Sequence, residues 1–144
     1  LLKVYKVMDQ YGLRRGEKNL EIYLMAELPS NIFMAEEFSE HIDGFSIGSN
    51  DLTQLVLGLD RDSSLVAHIY DERNLAVKRA ISHLIRIAKK TKTKVGICGQ
   101  GPSDFPDFAE FLVQEGIDSI SVTPDSLLKT LKTLSKTEEG RTKK

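Results

Sequence analysis

Apolar residues recur along this chain at two spacings, three-to-four for helices and unbroken short runs for strands. Val4, Val7, Met8 and Tyr11 follow the helical spacing, and Gly12 comes next as a C-terminal cap, which predicts the end of a helix over residues 1–11. Residues 12–19 are polar and basic and read as a loop. Residues 20–28 form an apolar run that predicts a buried strand, closing at Glu27-Leu28-Pro29. Ser30 is placed to cap a helix over 31–41, with Phe33, Met34 and Phe38 on its apolar face. A second short strand is expected at 45–47, stopped by Gly48-Ser49-Asn50-Asp51. A long helical region follows over 51–90, broken within 58–63, and Leu75, Ala76, Ile81, Leu84, Ile85 and Ala88 mark its second buried stripe. Residues 94–98 predict a third strand, 105–115 a helix and 117–122 a fourth strand. Thr123 and Pro124 then open a last helix as cap and first-turn residue. Residues 136–144 are polar and are expected as a frayed tail.

Strands that alternate with helices imply an α/β fold, with about four parallel strands joined by right-handed crossovers. Two architectures satisfy this pattern, an open doubly wound sheet and part of a (β/α)8 barrel. A complete barrel takes roughly 250 residues and eight strands. At 144 residues the chain has about half of that. Both architectures put ligands at the carboxyl ends of the strands.

Composition narrows the function classes. Hydrophobic residues make up 40% and charged residues 28% of the chain, an ordinary globular balance. Twenty Lys and Arg against 21 Asp and Glu give a net charge of −1. That balance argues against nucleic acid or an anionic membrane as partner. No apolar run is long enough to span a bilayer, and residues 1–10 carry charges within an amphipathic pattern, unlike a secretory signal. A single cysteine excludes a disulfide framework and a Cys-rich zinc site. A reducing, cytoplasmic compartment is the expectation. The start at Leu1 rather than Met suggests a piece of something longer.

Chemistry-bearing residues cluster where the strands are expected to end. The first end offers Glu27, the second Gly48-Ser49-Asn50-Asp51, the third Cys98-Gly99-Gln100-Gly101. Two carboxylates on neighbouring strand ends suit one Mg2+, a hard cation that completes its octahedron with water or substrate oxygens. The Gly48–Asp51 turn exposes backbone N–H groups near a helix start, where an anion fits. A thiol at the third end is able to exchange a proton with a bound substrate. Each residue also has a plain structural use. Glu27 suits a lysine pair or a helix cap, Asp51 an N-cap, and Cys98 a buried inert thiol, while Gly48 and Gly99 suit backbone geometry. Spacing alone does not choose between these uses.

A resemblance does choose. Asp43-Gly44-Phe45-Ser46-Ile47-Gly48-Ser49-Asn50-Asp51-Leu52-Thr53-Gln54 resembles the signature of the phosphoenolpyruvate (PEP)-utilising enzymes. Leu59-Asp60-Arg61-Asp62-Ser63 and Cys98-Gly99-Gln100-Gly101-Pro102-Ser103-Asp104 resemble the form found in the synthase branch of that family. The similarity runs from about Val4 to Leu128. It implies the C-terminal half of a TIM (β/α)8 barrel that binds pyruvate and PEP, a partial domain over 1–135 followed by the polar tail 136–144.

The resemblance also implies roles. Glu27 and Asp51 are the expected Mg2+ ligands, and Glu27 with Gly48, Ser49, Asn50 and Asp51 lines the substrate. Cys98 is the expected catalytic residue, exchanging a proton with the substrate's methyl or methylene carbon. Arg61 is a second-tier candidate for the phosphoryl group. The expected reaction is phosphoryl transfer from a phosphohistidine to pyruvate enolate, within an overall conversion of ATP, pyruvate and water to AMP, PEP and phosphate. The phosphohistidine and ATP-binding domains, and the first half of the barrel with its substrate-holding arginines, have no counterpart in this sequence. The chain alone is therefore expected to be inactive, and the complete enzyme to be a homodimer. The alternatives are the dikinase and PEP–protein phosphotransferase branches, and a non-catalytic pyruvate-binding module.

Overall fold

The computed structural model describes residues 1–142, with side chains through Glu138. Strands β1 (Tyr23–Ala26), β2 (Gly44–Gly48), β3 (Lys94–Cys98) and β4 (Ser119–Ile120) form one sheet in that order, and every neighbouring pair is parallel. The order never reverses. A doubly wound sheet needs a reversal at its switch point, whereas a barrel steps always to the next strand. The open choice between two architectures therefore falls to part of a (β/α)8 barrel.

Helix α1 (Leu2–Gln10) precedes the sheet and buries no residue; Val4, Val7 and Tyr11 on its apolar stripe are exposed. Between β1 and β2 the single expected helix is two, α2 (Pro29–Phe33) and α3 (Ala35–Ser39), broken at Met34. The break rolls Ile32 and Ala35 inward and leaves Phe33 81% exposed. The expected face of Phe33 and Met34 is thus the outer one. α4 (Ser49–Leu57) starts directly at the end of β2, two residues earlier than expected, and Gly58 ends it in the left-handed conformation at φ 64. α5 (Leu75–Thr91) is capped by Asn74, whose side chain accepts the Ala76 N–H at 2.9 Å. Its buried stripe is Val77, Ile81, Leu84, Ile85 and Ala88, while Leu75 and Ala76, expected in that stripe, are exposed in the first turn.

After β3 come α6 (Gly101–Asp104) and α7 (Pro106–Glu115), separated by Phe105 at φ −120, ψ 100. A residue before proline is pushed out of the helical region, so Pro106 forces the break. α8 (Leu127–Thr142) is entered through a turn in which the Ser126 hydroxyl donates to the Thr123 carbonyl at 3.0 Å. Helix therefore continues into the stretch expected as a polar tail, as far as residue 142; residues 143–144 lie outside the described residues.

The sheet has two unlike faces. Ala26, Phe45, Ile47, Val95 and Ile97 are buried in one cluster with the stripe of α5, Leu52 of α4, and Phe108 and Leu112 of α7. Tyr23, Met25, Ser46 and Cys98 alternate with these residues along their strands, and Tyr23 and Met25 remain about half exposed. The amino ends of the strands are stapled by carboxylates. Asp43 accepts the Ile22 N–H at 2.7 Å and the Arg15 Nε–H at 2.9 Å, and Asp118 accepts the Val95 N–H at 2.8 Å. No helix among the described residues is long and apolar enough to cross a membrane.

Candidate functional site

The carboxyl end of β1 turns at Glu27 into α2. Asn31, 7% exposed, reaches back so that its side-chain oxygen accepts the N–H groups of Leu28 at 2.9 Å and Glu27 at 3.3 Å. This fixes the backbone that carries the Glu27 side chain. That side chain lies over Gly48: a Cβ at Gly48 would sit 2.9 Å from Glu27 Oε2 and 3.0 Å from Glu27 Cβ. Only a glycine at the end of β2 admits this approach. Glu27 caps no helix, since Leu28 is the N-cap of α2. Among the described residues no cation pairs with it.

Gly48 is also the N-cap of α4, and no side chain caps that helix. The N–H groups of Asn50 and Asp51, on residues that are half-buried and exposed, thus have no capping side chain, with the positive end of the helix dipole behind them. Asp51 is the third residue of α4, exposed and without an ion pair among the described residues, so it is not the N-cap. Glu27, after β1, and Asp51, in the first turn of α4, are thus two carboxylates without an ion pair among the described residues. Among the described residues no group of three or more His, Cys, Asp or Glu is arranged for a metal, so the side chains alone do not form a closed cage.

Cys98 stands opposite Gly48 in the β2–β3 register. It is half-buried rather than sealed in the core. The Ser46 hydroxyl donates to its Sγ at 3.4 Å, and Met25 Sδ lies 3.8 Å away. Next to it Gly99 adopts φ 115, and a Cβ there would meet Ser49 Oγ at 2.2 Å. Glu27, Gly48 and Cys98 therefore converge at the strand ends, with Ser49 buried against Gly99 and Asp51 in the first turn of α4.

Ser49 is fully buried, and its hydroxyl lies 3.1 Å from Glu72 Oε1 and 3.2 Å from the Cys98 carbonyl. Asn50 is half-buried; with its amide assigned in the orientation that satisfies both ends, its nitrogen donates to Glu72 Oε1 and its oxygen accepts Arg61 Nη1–H at 3.0 Å. The Tyr70 hydroxyl donates to the Asn50 carbonyl at 3.0 Å. Burial raises the Tyr70 phenol to about 12, with the Glu72 carboxylate adding to the effect. Burial likewise pushes the Glu72 carboxyl above its ordinary value, and Asp104 adds to it.

No sequence pattern points to Glu72 or Tyr70. They lie in Tyr70-Asp71-Glu72-Arg73-Asn74, a charged turn before a helix cap, which looks like solvated surface. Beside them runs a polar cleft of about 520 Å³, bordered by Asn50, Arg61, Tyr70, Glu72 and Gln100; Glu27, Asp51 and Cys98 do not line it.

The model of the family described as "PEP-utilising enzyme, PEP-binding domain" matches residues 3–139. The chain is similar to the phosphoenolpyruvate synthase of Aquifex aeolicus, 69% identical over 129 residues, covering 90% of this chain and 15% of that protein. It is 63% identical to the synthase of Synechocystis over 138 residues, covering 96% and 17%. For the synthase of Escherichia coli the identity is 58% over 127 residues, covering 88% and 16%. The chain thus spans about a sixth of the length of these relatives. Among solved structures, a HpcH/Hpal aldolase/citrate lyase family protein from Burkholderia cenocepacia superposes at a TM-score of 0.58 with 17% identity, over 91% of this chain and 47% of that one. That likeness concerns the fold, and it covers about half of that neighbour.

Proposed function

Because the chain belongs to the PEP-utilising enzymes, through their PEP-binding domain, we propose that it carries the pyruvate/PEP site of a phosphoenolpyruvate synthase. The complete enzyme would convert ATP, pyruvate and water to AMP, PEP and phosphate. The synthase branch is favoured over the dikinase and the PEP–protein phosphotransferase by the high identity to synthases from Aquifex, Synechocystis and Escherichia. The observation that carries the reading is the convergence of Glu27, Gly48 and Cys98 at one strand end.

The uncapped first turn of α4 receives the substrate's carboxylate through the backbone N–H groups of Asn50 and Asp51. Glu27 and Asp51 would hold Mg2+, which when bound supplies Lewis-acid stabilisation of negative charge on the substrate's oxygens. Cys98, as thiolate, takes a proton from the pyruvate methyl carbon. The C–H electron pair becomes the enolate, and the thiol returns the proton in the reverse direction. The Ser46 hydroxyl holds the sulfur in direction. The enolate oxygen then attacks the phosphorus of a phosphohistidine on another domain, and the histidine nitrogen leaves. Arg61, at the border of the polar cleft, is the group we assign to the phosphoryl oxygens.

The test is exchange of pyruvate methyl protons into D2O, followed by NMR on the full-length protein with Mg2+. Exchange should require Mg2+ and vanish in Cys98→Ala, with the fold intact. Undiminished exchange in Cys98→Ala refutes the assignment of the thiol. A requirement for inorganic phosphate in turnover refutes the synthase assignment in favour of the dikinase.

A further inference from the structure

We infer that Glu72 is the positioning residue of the strand-end site, clamping the first turn of α4 from beneath so that its N–H groups face the substrate. The inference rests on the pyruvate/PEP reading above and adds a residue to it. Glu72 is 4% exposed, the most deeply buried acidic side chain among the described residues, and no lysine or arginine pairs with it there. An isolated buried carboxylate is costly and persists where polar neighbours need it. Its neighbours are the two residues that open α4. Glu72 Oε1 faces the Ser49 hydroxyl at 3.1 Å and the Asn50 side-chain nitrogen.

The second carboxylate oxygen has no hydrogen-bond partner and packs against Gly101, where a Cβ would lie 1.9 Å away. The chain leaves a side chain out at Gly101 and thereby makes room for this oxygen. Tyr70, two residues earlier, grips the Asn50 carbonyl. The segment 70–72 thus holds Ser49 by its hydroxyl and Asn50 by both its amide and its backbone. Through Asn50 the clamp extends to Arg61, whose Nη1 donates to the Asn50 oxygen at 3.0 Å. Glu72 touches no reacting atom. It acts by fixing the donors that do.

The experiment measures oxalate affinity with Mg2+ on the full-length protein, as unmodified chain, Glu72→Ala and Glu72→Gln. Oxalate carries the planar shape and charge of enolpyruvate. Glu72→Gln keeps a carbonyl oxygen for both donors; Glu72→Ala leaves the half-buried Asn50 amide N–H without this acceptor and the Ser49 hydroxyl with the Cys98 carbonyl alone. Glu72→Ala should weaken oxalate about tenfold, the scale of a buried hydrogen-bonding group left without its partner. Glu72→Gln should restore affinity to within about threefold of the unmodified chain, a rescue that loss of packing alone would not need. Equal loss in both variants, or loss in neither, overturns the inference. If Glu72→Ala does not fold, Ser49→Ala replaces it, since it removes one clamp contact and no backbone donor; unchanged oxalate affinity there overturns the inference too. Absence of oxalate binding by the unmodified protein overturns the pyruvate/PEP reading itself and this inference with it. Binding that is indifferent to Glu72→Ala overturns the positioning role alone.

Discussion

Adding one methyl group at Gly48 tests whether Glu27 serves a cation from the position it holds. Gly48 has φ −84 and ψ 85, which alanine adopts without left-handed strain, so the effect comes from contact alone. The new Cβ would lie 2.9 Å from Glu27 Oε2, 3.0 Å from Glu27 Cβ and 3.3 Å from Met25 Sδ. Carbon contacts become favourable at roughly 3.5–4.0 Å, so the Glu27 side chain must retreat by about half an ångström. The carboxylate end moves easily. The Cβ does not, because Asn31 holds the Glu27 and Leu28 N–H groups. Overpacking of this kind costs about 1–3 kcal/mol. Part of that appears as lost stability and part as a displaced carboxylate, and about 1.4 kcal/mol of the latter is a tenfold change in cation affinity.

The assay is calorimetric titration of Mg2+ in the presence of oxalate, with a thermal melt of the same samples. Gly48→Ala should weaken Mg2+ by about fivefold or more, the share of the overpacking cost that falls on the carboxylate. Gly58→Ala is the control. Gly58 has φ 64, and a Cβ added there would meet no atom within 4 Å, so its cost is conformational alone, about 1 kcal/mol, with Mg2+ affinity unchanged. If Gly48→Ala binds Mg2+ and oxalate as the unmodified protein does, the seat of Glu27 over Gly48 has no bearing on a cation and the metal reading of this strand end fails.

Asn31→Ala removes the acceptor of two N–H groups at the α2 entry and should cost about 1 kcal/mol; an unchanged melt refutes that account of the turn. Ile81→Ala empties a fully buried position beneath the sheet and should cost about 2–5 kcal/mol in urea unfolding; a loss below about 1 kcal/mol would mean that the core collapses around it. Tyr70→Phe carries a pH signature. The folded phenol titrates at about 12 against 10.0 ordinarily, so the native state holds its proton longer than the unfolded chain. Stability from Tyr70 is present below pH 10 and lost as pH rises towards 12. Tyr70→Phe should flatten that part of the alkaline decline in urea melts, and an unaltered slope contradicts the burial of the phenol.

Most of the candidate site is legible in the sequence because strands end where apolar runs end, and ligands bind at strand ends. Glu27, Gly48 and Cys98 each follow a recognisable run, and the register brings Gly48 and Cys98 side by side. The orientation of Ser49 is not legible. A serine at a helix start reads as a donor to ligand, and here its hydroxyl is turned under the helix towards Glu72 and the Cys98 carbonyl. Glu72 is hidden for the complementary reason. Its neighbours Asp71 and Arg73 are paired with each other at the surface, at 3.0 Å, and the whole turn takes on their character. What buries Glu72 is Gly101, nearly thirty positions away, and no local pattern reports a contact of that range.

The same distinction between local and distant causes explains the strand lengths. The apolar runs at 20–28 and 117–122 predict longer strands than β1 and β4 show, whereas 94–98 coincides with β3. β2 and β3 have a hydrogen-bonded neighbour on each side and keep five residues each. β1 and β4 have one neighbour each among the described residues and keep four and two. A run of apolar residues measures how much strand the chain is able to form, and the number of paired sides decides how much it does form. The other face of the sheet follows the same rule. Tyr23 and Met25 are strand residues of core character on the side of the sheet opposite the cluster with α5, and they stay about half exposed. In a (β/α)8 barrel that side faces inward and is packed by the side chains of all eight strands. Four strands supply half of such an interior, so the face on which Cys98 and Ser46 sit is the part of the fold whose packing depends on strands beyond these four.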